Sequence, residues 1–168
     1  VALATIEERT RHLEGFLRDY ARFAKLPAPR DEPVHLAGFI EKLRTQVPFG
    51  IEGVVPDEVL RFDPAQVEQA MLNLLKNAHE SGSPPDGVSV AVRRIADGWR
   101  IDVLDRGTGM NEAVLANALL PFYSTKRSGT GLGLALAREI AEAHGGRIAL
   151  LNRKDGGLCV SMVLPGQT

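Results

Sequence analysis

Residues 88–95 and 99–104 alternate apolar and polar side chains with period two on either side of Asp97-Gly98. Two runs of that kind fold as an antiparallel hairpin with one face buried. A second pair, 147–152 and 158–164, repeats the pattern near the end of the chain. Such hairpins need a layer over their apolar face, and helical periodicity at 36–47, 64–81, 111–119 and 132–144 supplies it. The 64–81 helix opens at Asp63-Pro64, a capping residue followed by proline at the first helical position. The 132–144 helix closes at Gly145-Gly146. Short strands are expected over 49–55 and 58–62, around a Pro56-Asp57 turn. Helices and strands do not alternate strictly, as a parallel sheet requires. The expected fold class is therefore α/β, a two-layer sandwich of a mixed, mainly antiparallel sheet and helices, preceded by a long N-terminal helix.

That first helix is read from apolar or small residues at 3, 6, 10, 13, 17, 20 and 24, with Thr10 the one polar member. Steps of three and four over about three heptads make a seam for another helix. Leu26-Pro27-Ala28-Pro29 stops it, because proline lacks an amide hydrogen and restricts the residue before it. Two parts are expected, a helix and linker over 1–29 and a compact unit over 30–168. With 168 residues, 44% of them apolar, the chain can bury one ordinary core. A formal net charge of −1 with interspersed signs argues against nucleic acid or an anionic membrane surface as partner. No apolar stretch approaches the roughly 20 residues of a membrane helix. The single cysteine, Cys159, lies in an alternating run and is expected to pack as a small hydrophobe in a reducing, cytoplasmic setting. The chain opens on Val inside a helix, so it is expected to be a fragment, with any membrane sensor upstream.

Three features carry chemistry. On the 64–81 helix, Val67, Ala70, Met71, Leu74, Leu75 and Ala78 form a core stripe, and Gln66, Gln69, Asn73, Asn77 and Glu80 form a second, amide-rich face. Asparagine is a poor helix-interior residue. Such a face either hydrogen-bonds a loop or offers amide oxygens to a hard cation such as Mg²⁺. Next, Asp105-Arg106-Gly107-Thr108-Gly109 follows a strand, where a carboxylate can accept from an exocyclic amine and glycines let a ligand approach the backbone. Last, Ser128-Gly129-Thr130-Gly131-Leu132-Gly133-Leu134 feeds a helix start, a place suited to phosphate. Neither the Walker pattern nor the dinucleotide fingerprint occurs.

Together with Pro121-Phe122-Tyr123-Ser124-Thr125-Lys126, and taking Asn73-Leu74-Leu75-Lys76-Asn77-Ala78 first, these segments resemble four sequential boxes of sensor histidine kinase catalytic domains. The superfamily also holds type II topoisomerase ATPase subunits, the ninety-kilodalton heat-shock chaperone and mismatch-repair ATPases. The match runs from about residue 34 to 165. The 9–29 stretch is similar to the second dimerisation helix of kinases of the nitrogen-regulatory class. The resemblance implies a Bergerat-type fold binding ATP and Mg²⁺. It implies Asn77 as the principal Mg²⁺ ligand with Asn73 assisting, and Asp105 as partner of the adenine amino group. Gly107 and Gly109 would shape the base pocket. Gly129, Gly131 and Gly133, with Thr130 and Leu132, would cradle the phosphates. Phe122, Ser124, Thr125 and Lys126 would belong to a mobile lid, with Lys126 at the γ-phosphate. Many such kinases carry a basic residue where this chain has Glu80, a role that Lys76 would fill instead.

Hydrolytic members of the superfamily place a glutamate one turn before the magnesium asparagine, where it activates water. Here that position is Asn73, which favours a kinase. The implied activity is transfer of the γ-phosphoryl group to a histidine for relay to a response regulator receiver domain, in a homodimer built through the N-terminal helix. Of the four histidines, His12, His35 and His144 read as structural, and His79-Glu80 imitates an acceptor dipeptide by coincidence. The acceptor is expected upstream. An ATPase of the same superfamily, an anti-sigma-type serine kinase and a nucleotide-sensing module without catalysis remain as alternatives.

Overall fold

A computed structural model describes residues 2–24, 26–123 and 132–166. Helix α1 (Ala2–Ala24) is followed by β1 (Glu32–His35), α2 (Leu36–Arg44), β2 (Gly50–Ile51), β3 (Val59–Phe62) and α3 (Pro64–His79). The rest is β4 (Ser89–Ile95), β5 (Gly98–Leu104), α4 (Glu112–Asn117), α5 (Gly133–Ala143), β6 (Arg147–Asn152) and β7 (Leu158–Pro165). Five strands form one sheet in the order β2-β4-β5-β7-β6, parallel at β2/β4 and antiparallel elsewhere. The mixed, mainly antiparallel sheet with helices on one face is the expected architecture.

Both hairpins form, because their alternation puts Val90, Val92, Trp99, Ile101 and Val103, then Val160, Met162 and Leu164, on the helix side. Helices α3 and α5 lie side by side over that face. All six residues assigned to the core stripe of α3 are buried. Four of them are large, and their burial is worth roughly 1.5–3 kcal/mol each. The α3 start is as the sequence implies, with Asp63 Oδ1 accepting from Gln66 N at 3.1 Å and Pro64 in the first turn. Trp99, the chain's single tryptophan, is buried, and the Arg94 guanidinium stands 5.6 Å from its ring centre.

Two strands differ from expectation. The run 49–55 forms only the two-residue β2, because after Glu52, whose N–H still donates to Val90 O, Gly53 turns at φ +74° and the chain leaves β4. Residues 32–35, which no alternation marks, form β1 through antiparallel pairing with β3 in a separate two-stranded sheet. Helix α2 is also shorter than 36–47, ending at Arg44 with Thr45 as its C-cap.

The far face of the sheet carries a buried charge. Asp102 on β5 is 2% exposed and accepts from Arg100 Nε at 2.8 Å, Arg93 Nη2 at 3.0 Å and Ser161 Oγ at 2.6 Å. Burial pushes its carboxyl up, but the bonds from Arg100, Ser161 and Arg93 outweigh that and hold it below the usual carboxylate value. Beside it, Cys159 is buried and unpaired with any other cysteine, as expected of a small hydrophobe, and burial raises its thiol.

Candidate nucleotide site

The amide face of α3 divides into two uses. Gln66, at its start, is buried and donates to Pro27 O at 2.8 Å, so this amide serves a loop. Asn73, half-buried a little further along, donates from Nδ2 to the carbonyl of Gly133 at 3.3 Å. That bond joins α3 to the first residue of α5 and uses the nitrogen of Asn73, not its Oδ1. Asn77 follows one turn on, also half-buried. The first turn of α5 has no side-chain cap at Leu132, and the Cα of Gly133 faces open space. Uncapped amides at a helix start favour an anion. Asn73 thus sets the amide face of α3 against the start of α5.

The segment after β5 closes over the other end of α3. Asp105 is buried, and its Oδ1 accepts from Gly107 N at 2.9 Å and Leu158 N at 3.1 Å. Its Oδ2 takes no hydrogen bond among the described residues, so one oxygen is fixed by the backbone and the other is free to accept a ligand N–H. The loop is tied to the end of α3, with Thr108 N donating to Ser81 O and Arg106 N to Ser83 Oγ. A Cβ on Gly107 would stand 2.4 Å from Ser81 O, and Gly109, at φ +70°, would meet Asn152 Oδ1 at 2.7 Å. These two positions need glycine because of close approach as well as backbone shape.

Four residues of this locality were not singled out from the sequence. Ser81 and Ser83 hold the loop as above. Asn152 imitates a strand partner, its Oδ1 accepting from Met110 N at 2.9 Å and its Nδ2 donating to Met110 O at 2.6 Å. Arg153 donates to Asp105 O at 2.8 Å. Ser81 and Ser83 follow the end of α3, and Asn152 and Arg153 sit at a strand end. No spacing links any of them to residues 105–110, because only the folded sheet brings them together.

The segment 121–123 lies against α1. Phe122 adopts φ +67° and its ring centre is 5.6 Å from that of Phe16 and 6.2 Å from that of Tyr20. Ser124, Thr125, Lys126, Gly129, Thr130 and Gly131 lie outside the described residues. Lys76 is exposed and pairs with Glu80 at 3.9 Å. His35 is the N-cap of α2 and bonds Asp57 at 2.7 Å, and His79 bonds the Pro48 carbonyl at 2.7 Å. His144 is the C-cap of α5, a structural place as its sequence reading expects. Its Nδ1 bonds Ile140 O at 2.7 Å and Asp63 N donates to its Nε2 at 3.1 Å.

The family model described as histidine kinase-, DNA gyrase B-, and HSP90-like ATPase matches residues 62–168, from the end of β3 through β7. The chain belongs to that family. The nitrogen regulation protein NtrY of Azorhizobium caulinodans is 32% identical over 165 residues, covering 90% of this chain and 21% of NtrY. The nucleotide-free catalytic domain of the histidine kinase ThkA shares 25% identity with a TM-score of 0.72, over 83% of this chain and 99% of that domain. Full-length ShkA in complex with AMPPNP has a TM-score of 0.79 at 23% identity, over 99% of this chain and 38% of ShkA, a likeness of fold that takes in α1. The chain spans between 20% and 28% of the length of curated relatives it matches. It is a histidine kinase-type ATPase domain of the sensor-kinase kind.

Among the described residues of this ATPase-family domain, no group of three His, Cys, Asp or Glu side chains could hold a metal ion. Asn73, bonded to the α5 start, and Asn77, one turn further along α3, carry amide oxygens. These suit a hard, oxygen-seeking cation that keeps much of its water, which is the behaviour of Mg²⁺. No helix among the described residues is long and apolar enough to cross a membrane.

Proposed function

We propose that the chain binds Mg²⁺-ATP and donates the γ-phosphoryl group to a histidine of the longer protein, for relay to a response regulator receiver domain. Residues 1–29 serve as dimerisation helix and linker, and 30–168 as the catalytic domain, on the cytoplasmic side. The observation that carries this reading is Asn73, an amide where hydrolytic relatives have a base, bonded to the start of α5.

Each residue has a task that its chemistry permits. The unbonded Oδ2 of Asp105 accepts from the adenine amino group, and the loop held by Ser81, Ser83 and Asn152 shapes the base pocket. Amides at the α5 start, with Gly129, Gly131 and Gly133, hold phosphate oxygens. Asn77 and Asn73 would hold Mg²⁺, which neutralises phosphate charge when bound. Lys126 contacts the γ-phosphate and Lys76 supplies a further cation nearby. The γ-phosphoryl group then passes from the ADP oxygen to an imidazole nitrogen in line with it. Asn73 cannot take a proton from water, so the group survives until that nitrogen arrives.

Two expected results test this. Calorimetry should find ATP binding in the micromolar range or weaker that depends on Mg²⁺, and equal affinity without the ion would count against Asn73 and Asn77 as ligands. Phosphate release by the unmodified chain should stay far below about 1 per second, and Asn73→Glu should raise it. Steady turnover at or above that rate in the parent would make this an ATPase.

A further inference from the structure

Residues 26–31, which follow α1, are fastened to the domain. Gln66 Nε2 donates to Pro27 O at 2.8 Å, Arg30 N donates to Asp63 Oδ2 at 2.9 Å, and Arg61 Nη2 donates to Asp31 O at 3.2 Å. Leu26 packs against the core. Asp63 also caps α3 with its other oxygen, and its own N–H donates to His144 Nε2 at 3.1 Å at the end of α5. A helix cap needs one oxygen. This aspartate uses both oxygens and its amide to join the linker, the start of α3 and the end of α5.

The junction is not fully satisfied. Gln66 is more than nine-tenths buried, yet its Oε1 has no hydrogen-bond partner among the described residues. A buried acceptor without a donor is a cost that folded chains seldom keep. A shift of the linker that brings an N–H to this oxygen would recover that cost. The junction of linker and α3 is thus held by bonds that leave one buried acceptor unused.

Helix α3 carries the consequence to the nucleotide locality. Asn73 and Asn77 lie seven and eleven positions beyond Gln66, which at 3.6 residues per turn puts each within about 20° of Gln66 around the axis, one to either side. The separations along the helix are about 10 and 16 Å. One rigid face thus bears the linker anchor at one end and the proposed phosphate and metal contacts at the other.

We infer that Gln66 and Asp63 are positioning residues that couple the seat of the linker to the seat of the nucleotide, an inference that rests on the nucleotide-binding reading above. Coupling between two sites is reciprocal, so each side must report on the other. The test joins hydrogen exchange at the Arg30 amide to calorimetry, both on the whole chain. Saturating Mg²⁺-ATP is expected to change Arg30 exchange at least threefold. Gln66→Leu keeps the volume while removing both donor and orphan acceptor, and is expected to shift the ATP Kd at least threefold. Arg30→Pro deletes the N–H to Asp63 and, compared with Arg30→Ala as the control for the lost side chain, is expected to move Kd in the same direction. Gln46→Leu, which removes another glutamine bond to α3, at Glu68, is expected to leave Kd unchanged. Bound ATP with unaltered Arg30 exchange and unaltered Kd in both junction variants would make the junction merely structural, overturning the coupling and leaving the nucleotide reading intact. Failure of the parent to bind ATP at all would overturn both.

Discussion

Asp102→Ala is expected to destabilise the fold by about 2–4 kcal/mol, toward the lower end of what breaking a buried ion pair costs, because Arg93 and Arg100 reach solvent and can be hydrated when released. For a chain of this size that is a fall in Tm of roughly 5–15 °C, readable by thermal unfolding. A change under about 0.5 kcal/mol would mean that the cluster is not structural. The same carboxylate sets a pH dependence. Its pKa in the folded chain is depressed, so its stabilisation is complete above the ordinary carboxylate value of about 4 and is lost as pH falls through the folded value. Asp63 acts with the same sign, since backbone bonds, chiefly from Arg30 and Gln66, overcome its burial and lower its pKa. Acid unfolding of the Asp102→Ala variant should accordingly be shallower below pH 4 than that of the parent.

Asp105→Asn is expected to weaken adenine nucleotide binding by about 1–3 kcal/mol, a 5- to 150-fold rise in Kd, without a matching loss of stability. The carboxamide keeps an oxygen for the amides of Gly107 and Leu158, but turns an NH₂ toward the position where an adenine amino group would donate. Two donors then face each other. GTP should bind the parent poorly for the same reason, since guanine presents an acceptor at that edge. Comparable ATP and GTP affinities would remove Asp105 from the role assigned to it.

Much of this could be read before folding was considered, and what could not has a common cause. The stripe Val67, Ala70, Met71, Leu74, Leu75, Ala78 and the Asp63-Pro64 start are local patterns, fixed by helical geometry and by capping chemistry, and all are in place. The hairpins are local in the same sense. Strand β1 was invisible because Glu32-Pro33-Val34-His35 has no alternation, and is a strand only through its partner at 59–62. Gln66 belongs by spacing to the amide face, yet its amide serves Pro27, since nothing in the periodicity says which backbone will pass by. Asn152 stands 42 positions from the Met110 that it clamps. The bridging place of His144 likewise depends on Asp63, 81 positions away.

The position of Trp99 gives the chain a built-in optical reporter. It is the single indole, sealed among core side chains, and lies on the strand that bears Asp102 on its other face. Six positions of extended chain, roughly 20 Å, separate it from Asp105. Its emission should follow the opening of the sheet and stay silent when nucleotide is added, so one fluorescence trace separates variants that unfold the domain from those that only empty its site.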